Sequence, residues 1–158
     1  MKVERVGPDQ WRALRDVRLR ALADAPAAFL RTYDEEAALP DDEWRRRAVD
    51  RVSFLGWVDG EAVGIVGAHV PPGLDDAVEL VAMWTSPEHR RHGVGRALVD
   101  AVVDWGRSEG AARVVLWVMR GNDGARVFYE SAGFRLTDEI AALPDDPCRE
   151  EQRMVLEL

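Results

Sequence analysis

Arg90-Arg91-His92-Gly93-Val94-Gly95 lies between a strand candidate, Ala77–Thr85, and a helix candidate that opens at Val94. Val94, Ala97, Leu98, Ala101, Val102 and Trp105 recur at i, i+3, i+4, i+7, i+8 and i+11, one face of an α-helix. The two glycines therefore stand at a helix N-terminus. Free backbone N–H groups and the positive end of the helix dipole there favour an anion. Glycine lets that backbone approach a phosphate with no Cβ in the way. Arg90, Arg91 and Arg96 add positive charge around the same turn, and the stretch reads as a pyrophosphate cradle.

Two neighbouring motifs do not fit. The dinucleotide fingerprint requires a third glycine where this chain has Leu98. The nucleoside-triphosphate loop requires Gly-Lys-Ser/Thr, and the only lysine is Lys2. The remaining pattern, Arg/Gln-x-x-Gly-x-Gly/Ala, resembles the acyl-CoA pyrophosphate loop of the GNAT acetyltransferase superfamily. Asn122-Asp123-Gly124-Ala125-Arg126-Val127-Phe128-Tyr129, continuing to Gly133-Phe134, resembles that superfamily's Asn-x-x-Ala-x-x-Phe-Tyr-x-x-x-Gly-Phe segment. The resemblance covers Val52 to Phe134 well and the two ends loosely.

The chain has 158 residues, 47% hydrophobic and 32% charged, which suits a single N-acetyltransferase domain over residues 1–158. A net charge of -8 argues against general nucleic-acid binding. It is compatible with a cationic acceptor. Cys148 is the only cysteine, so no intrachain disulfide is expected and a reducing compartment is the default. Without an apolar leader or an apolar run of spanning length, a cytoplasmic protein with no membrane partner is expected. The three histidines and Cys148 lack zinc-ligand spacing, so no metal is expected. His89 and His92 belong to the phosphate loop, and His69 has no assigned role. The oligomeric state is open, a homodimer included.

Along the chain, Lys2–Val6 is a first strand candidate. A helix carrying Trp11, Leu14, Val17, Leu19 and Leu22 follows, with an ambiguous segment at Ala27–Leu39. A further helix starts near Pro40-Asp41-Asp42, with Asp42 or a neighbour as its cap. Asp59-Gly60 between Val52–Val58 and Glu61–Val70 is a two-residue hairpin signal. Arg113–Met119 reads as a buried central strand. Asn122 caps a short helix that Gly133 stops. Phe134–Thr137 and Gln152–Leu158 are the last strands, with a long acidic loop between them. The expected fold is α/β (α+β): a GNAT-like, mixed, mostly antiparallel sheet of six to seven strands with flanking helices. The resemblance implies that its fourth and fifth strands splay.

The same resemblance implies acetyl-CoA as cosubstrate and an amine as acceptor, with direct transfer in a ternary complex. Backbone groups of Arg91, His92, Gly93, Val94, Gly95 and Arg96 would hold the pyrophosphate, with Arg90 beside them. Met83 and Thr85 would pair with the pantetheine arm, and Trp84 would stand close to it. Met83 would also supply an oxyanion donor. Asn122 would contact the CoA arm, though it is a good N-cap whatever the chemistry. Tyr129 is the leaving-group acid candidate, because its ordinary pKa near 10 is close to that of an alkyl thiol. Read from the helix wheel alone, it is the polar edge of a core-facing helix. Glu79 is the general-base candidate; the other reading is a salt-bridged strand glutamate. Trp117 stands where other family members place the acid. Phe29, Tyr33, Asp34, Glu35 and Glu36, with Asp145, Asp146 and Cys148, mark the acceptor side, where acids would attract a cationic amine. A peptide acetyltransferase and a non-catalytic acyl-CoA-binding module are the alternatives.

Overall fold

The computed structural model describes residues 1–158. The elements are β1 (Lys2–Arg5), α1 (Trp11–Asp24), α2 (Tyr33–Ala37), α3 (Asp41–Asp50), β2 (Val52–Val58), β3 (Glu61–His69) and β4 (Ala77–Thr85). They continue as α4 (Val94–Ser108), β5 (Arg113–Met119), α5 (Asp123–Ser131), β6 (Arg135–Leu143) and β7 (Asp146–Glu157). The seven strands run β1-β2-β3-β4-β5-β7-β6 in a mixed sheet. Only β4 on β5 is parallel among the registered pairs, with Ala77–Glu79 against Arg113–Val115. β4 continues to Thr85 and β5 to Met119.

Contacts divide the chain into two compact units, Met1–His69 with Ala82–Val102, and Val70–Val81 with Val103–Leu158. The division passes through β4 and α4. The first unit packs Trp11, Leu14, Val17 and Ala21 of α1 with Trp44 of α3 and with Leu55, Ile65 and Trp84 of the strands. The spacing in α1 is that of a helix laying one stripe on a sheet. Within the same unit, Val94 and Leu98 of α4 close on two strand glycines. A Cβ on Gly56 would stand 2.8 Å from Val94 Cγ1; on Gly64 it would meet Leu98 Cδ1 at 3.0 Å and the Trp84 carbonyl oxygen at 3.2 Å. These glycines let the start of α4 sit against the strands. Gly64→Ala is expected to destabilise the fold by about 1–3 kcal/mol, as overpacking does. Thermal unfolding checks this, and an unchanged Tm would remove the close-approach argument.

The second unit alternates its strand residues. Ala77, Val115 and Val155 cluster with Leu74, while Val114, Leu116 and Val118 on the other face of β5 are also buried. Such two-sided burial explains the apolar run in β5.

Several expectations change. The acidic stretch before the last strand is no loop: β6 and β7 pair antiparallel from Arg135↔Val155 to Leu143↔Asp146. Pro144 and Asp145 are left between the strands. Residue types favoured in turns are carried here because strand propensity yields to cross-strand pairing. The cap of α3 is Pro40, with no side-chain hydrogen bond. Asp41, Asp42 and Glu43 instead fill the first turn, where negative charge is favoured by the positive end of the helix dipole. The ambiguous segment holds α2, capped by Thr32, whose hydroxyl accepts from Glu35 N–H at 3.2 Å. The buried stripe of α4 is also wider than read, adding Val99 and Val103 to Leu98 and Val102. As expected, Asp59 and Gly60 both take positive φ, 51° and 80°, the geometry of a two-residue hairpin turn.

Candidate active site

The phosphate loop lies in the first unit. Gly93 has φ 88° and Arg91 φ 64°, so the chain passes through left-handed conformations on either side of His92. Such turns aim successive N–H groups into one concavity. The first backbone bond of α4 runs from Ala97 N–H to the Gly93 carbonyl at 3.0 Å. The N–H groups of Val94 and Gly95 precede it and have no acceptor inside the helix. A Cβ on Gly93 would meet nothing within 4 Å, so the loop faces open space. A diphosphate fits this surface by chemistry and by room.

The arginines divide their work. Arg90 donates through Nη2 to Asp24 at 2.7 Å and through Nε to the Thr85 carbonyl at 3.0 Å. Arg96 pairs with Asp100 at 3.2 Å. Arg91 is exposed and carries no ion pair, which leaves its charge for a ligand. Trp84 is 6% exposed and packed in the core, its indole N–H donating to Asp24 at 2.9 Å. Its ring therefore belongs to the fold, and only its main chain remains for a pantetheine contact. Asp24, absent from the sequence reading, thus receives both Trp84 and Arg90. The Trp84 hydrogen bond, and behind it Arg90, hold its carboxyl below the ordinary 3.8 against the opposing effect of burial. Met83 and Thr85 are half-buried. Ala82, just before Met83, has φ 55°, an uncommon conformation for a residue with a Cβ. It breaks the regular strand where the oxyanion donor was expected.

His89 is bound to Ser86, Nδ1 to Oγ at 2.7 Å, and so braces the turn. Tyr33 is 44% exposed and lines a cavity of about 630 Å³ together with Asp16, Arg20, Trp57 and Glu61. Glu36 departs from the acceptor-side expectation. It is 1% exposed and bound by Arg18 at 2.7 Å and Arg47 at 2.9 Å. Its charge is consumed inside the fold and attracts no amine; Asp34 and Glu35 stay exposed.

The acid and base candidates lie in the second unit. Asn122 accepts from Ala125 N–H at 3.2 Å and caps α5. Gly133, at φ 101°, ends it. Tyr129 is 8% exposed, its ring edge-on to Phe128 at 5.2 Å and Phe134 at 5.8 Å. Burial pushes its hydroxyl above the ordinary 10, so it stays protonated at neutral pH. Glu79 is 9% exposed and receives Arg153 Nη1 at 2.8 Å. Arg153 lies over the Trp117 ring, 4.1 Å from its centroid. Sequence reasoning missed Arg153, and the one available signal was an arginine in an otherwise apolar strand end, Arg153-Met154-Val155-Leu156. Cys148 is exposed on β7, and no group of three or more His, Cys, Asp or Glu is placed to hold a metal ion.

Residues 14–134 match the Acetyltransferase (GNAT) family. The chain belongs to that family. Among GNAT relatives, the mycothiol acetyltransferase of Mycobacterium sp. strain JLS is 30% identical over 132 residues, 82% of this chain and 42% of that protein. The chain thus spans less than half the length of that relative. The aminoglycoside N(6′)-acetyltransferase type 1 of Salmonella typhimurium is 25% identical over 145 residues, 88% of this chain and 92% of that one. The crystal structure of an aminoglycoside 6′-N-acetyltransferase complexed with coenzyme A has a TM-score of 0.72 at 15% identity. It covers 99% of this chain and 97% of its own, which establishes the GNAT fold. No helix is long and apolar enough to cross a membrane.

Proposed function

We propose that the chain transfers the acetyl group of acetyl-CoA to a primary amine of a small molecule, directly and within a ternary complex. The observation that carries this reading is the open Arg90–Gly95 turn at the start of α4, in a chain of the GNAT family. Its amides would hold the pyrophosphate, with Arg91 as counter-charge, and the β4 main chain at Met83 and Thr85 would hold the pantetheine arm. The Met83 N–H would meet the tetrahedral oxyanion; a donor of this kind is worth about 3 kcal/mol of barrier. Tyr129 would protonate the departing thiolate. A small acceptor is favoured by the aminoglycoside enzyme above, which aligns over nearly its whole length.

Calorimetry with coenzyme A and acetyl-CoA tests the cradle. Thiol release across spermidine, kanamycin and a peptide with a free N-terminus tests the acceptor. Heat with either cofactor, and turnover on a small amine, are expected. No heat with either would end the reading, and turnover confined to the peptide would replace the acceptor class. Gly95→Asp places a carboxylate in the first turn of α4, against the phosphates. It should weaken coenzyme A binding by about a hundredfold, the scale of losing charge-assisted hydrogen bonds and adding repulsion. Binding within a few-fold of the parent chain would place the pyrophosphate elsewhere.

A further inference from the structure

Two registers place four polar or aromatic side chains on one face of the second unit. Glu79 stands opposite Val115, while Val115, Trp117 and Met119 stand opposite Val155, Arg153 and Glu151. Alternate residues of a strand share a face, so Glu79, Trp117, Arg153 and Glu151 are on the same side. Arg153 crosses the Trp117 ring to reach Glu79 at 2.8 Å. Its Nε, buried and without a hydrogen bond, lies 3.5 Å from Glu139 Oε2.

Glu139 is brought there by a bulge. Leu136 opposes Met154 and Ile140 opposes Gln152, so Thr137, Asp138 and Glu139 all fall against Arg153. The Thr137 hydroxyl donates to the Arg153 carbonyl at 2.9 Å, and the Gln152 side-chain amide donates to the Thr137 carbonyl at 2.7 Å. Bulges of this kind re-aim side chains beside active sites. Two carboxylates, Glu79 and Glu139, therefore share the Arg153 guanidinium. Glu151, half-buried and one step along the same face, carries no ion pair of its own. The charges that act on it are Glu79 from β4 and Arg153 from β7; Arg149 shares its face of β7 by strand alternation, and Asp138 and Glu139 of β6 fall at the register shift opposite Arg153. On β5 its neighbours, Trp117 and Met119, do not titrate.

We propose that Glu151 is the general base of the transfer reaction, taking the ammonium proton of the acceptor, and that Glu79 is a positioning residue acting through Arg153. This rests on the acetyl-transfer reading above. Of the two protons the nitrogen sheds, the first passes to a Glu151 carboxylate oxygen. The freed lone pair forms the C–N bond at the acetyl carbonyl carbon. The second proton leaves to water as the tetrahedral intermediate collapses and the C–S bond breaks. The thiolate takes the Tyr129 proton, and water restores the phenol and strips Glu151. One amide, one thiol and one proton result.

The assignment suits the electrostatics. Burial, then the neighbouring Glu79 charge, push the Glu151 carboxyl above its ordinary 4.5, while Arg153 pulls it back. That moves it towards the amine it must deprotonate. Glu79 is instead committed to its buried ion pair with Arg153 at 2.8 Å.

The test uses the full chain with acetyl-CoA and whichever of spermidine or kanamycin turns over faster, with kcat/KM followed from acid to alkaline pH. Glu151→Gln should lower kcat by about a hundredfold or more, flatten the acid limb, and keep both Tm and coenzyme A affinity. Glu79→Gln should keep that limb but move its midpoint to lower pH, because a negative neighbour is lost and Arg153 is released towards Glu151. A Glu151→Gln enzyme within about twofold of the parent would overturn the assignment. Loss of the limb in Glu79→Gln alone would return the role of base to Glu79. Carbon-13 titration of the parent chain gives a readout independent of variant folding, and a Glu151 midpoint below 4.5 contradicts the proposal. If the parent chain releases no thiol with any amine, the transfer reading itself fails, and this assignment with it.

Discussion

Tyr129→Phe should lower kcat by about 10²–10⁴-fold, the usual contribution of a positioned acid, and leave coenzyme A affinity and Tm near the parent values. The substitution removes one oxygen and keeps the ring, whose edge contacts are with Phe128 on α5 and with Phe134, the residue before β6. Packing is therefore a controlled variable. The remaining difference is a hydroxyl that burial keeps protonated far into the alkaline range. A raised value would weaken an acid acting on a solvated thiolate. A thiolate forming in equally dry surroundings is destabilised for the same reason, so the two stay matched. Single-turnover thiol release isolates the step. A kcat within about twofold of the parent would remove Tyr129 from the chemistry and leave the fold and cradle untouched.

The turn at Gly93 and the α5 segment were legible because each depends on residue identity at one position. Gly93 is required at φ 88°, Asn122 is required as a cap, and Asp59-Gly60 is required in its turn. These are local demands of backbone geometry, and a local string reports them. The charged network was not legible, since it is set by which strands become neighbours. Nothing near Arg153 in sequence announces Glu79, and only the β4-β5-β7 registers bring them onto one face. The β6–β7 hairpin was hidden by its own composition: Asp138, Glu139, Glu150 and Glu151 read as loop, yet Glu150 and Glu151 pair with Ala142 and Ala141, and Asp138 and Glu139 form the bulge opposite Arg153. A missed signal did exist at α2. Thr32-Tyr33-Asp34-Glu35 is a Ser/Thr-x-x-Glu capping box, and the Thr32 hydroxyl indeed both accepts from Glu35 N–H and donates to its carboxylate.

That short helix leads to the other large effect. Glu36→Gln should cost about 3–5 kcal/mol, as breaking a buried ion pair by removing one partner does, and lower Tm on the order of 10 °C. Glu36 joins three helices: its Oε1 takes Arg18 of α1 and its Oε2 takes Arg47 of α3. The guanidiniums are further committed, Arg18 over the Phe29 ring at 4.7 Å and Arg47 over the Trp44 ring at 4.9 Å. A neutral amide keeps the shape but takes the carboxylate from half-buried Arg18 and leaves buried Arg47 with Glu43 alone, at 3.2 Å. The sign with pH follows from the carboxyl itself. Burial pushes it up, but Arg18 and Arg47 outweigh burial and hold it below its ordinary 4.5. A lowered folded value means stability that is fully present above 4.5 and drains as pH falls through the folded value. The glutamine chain has no such site to lose. The gap between parent and variant should therefore be widest at neutral pH and close as the solution is acidified below 4.5. Urea unfolding of both chains at several pH values measures it. A constant gap would show that Glu36 contributes through shape, and a gap under about 1 kcal/mol at neutral pH would show that the pair behaves as a solvated surface bridge.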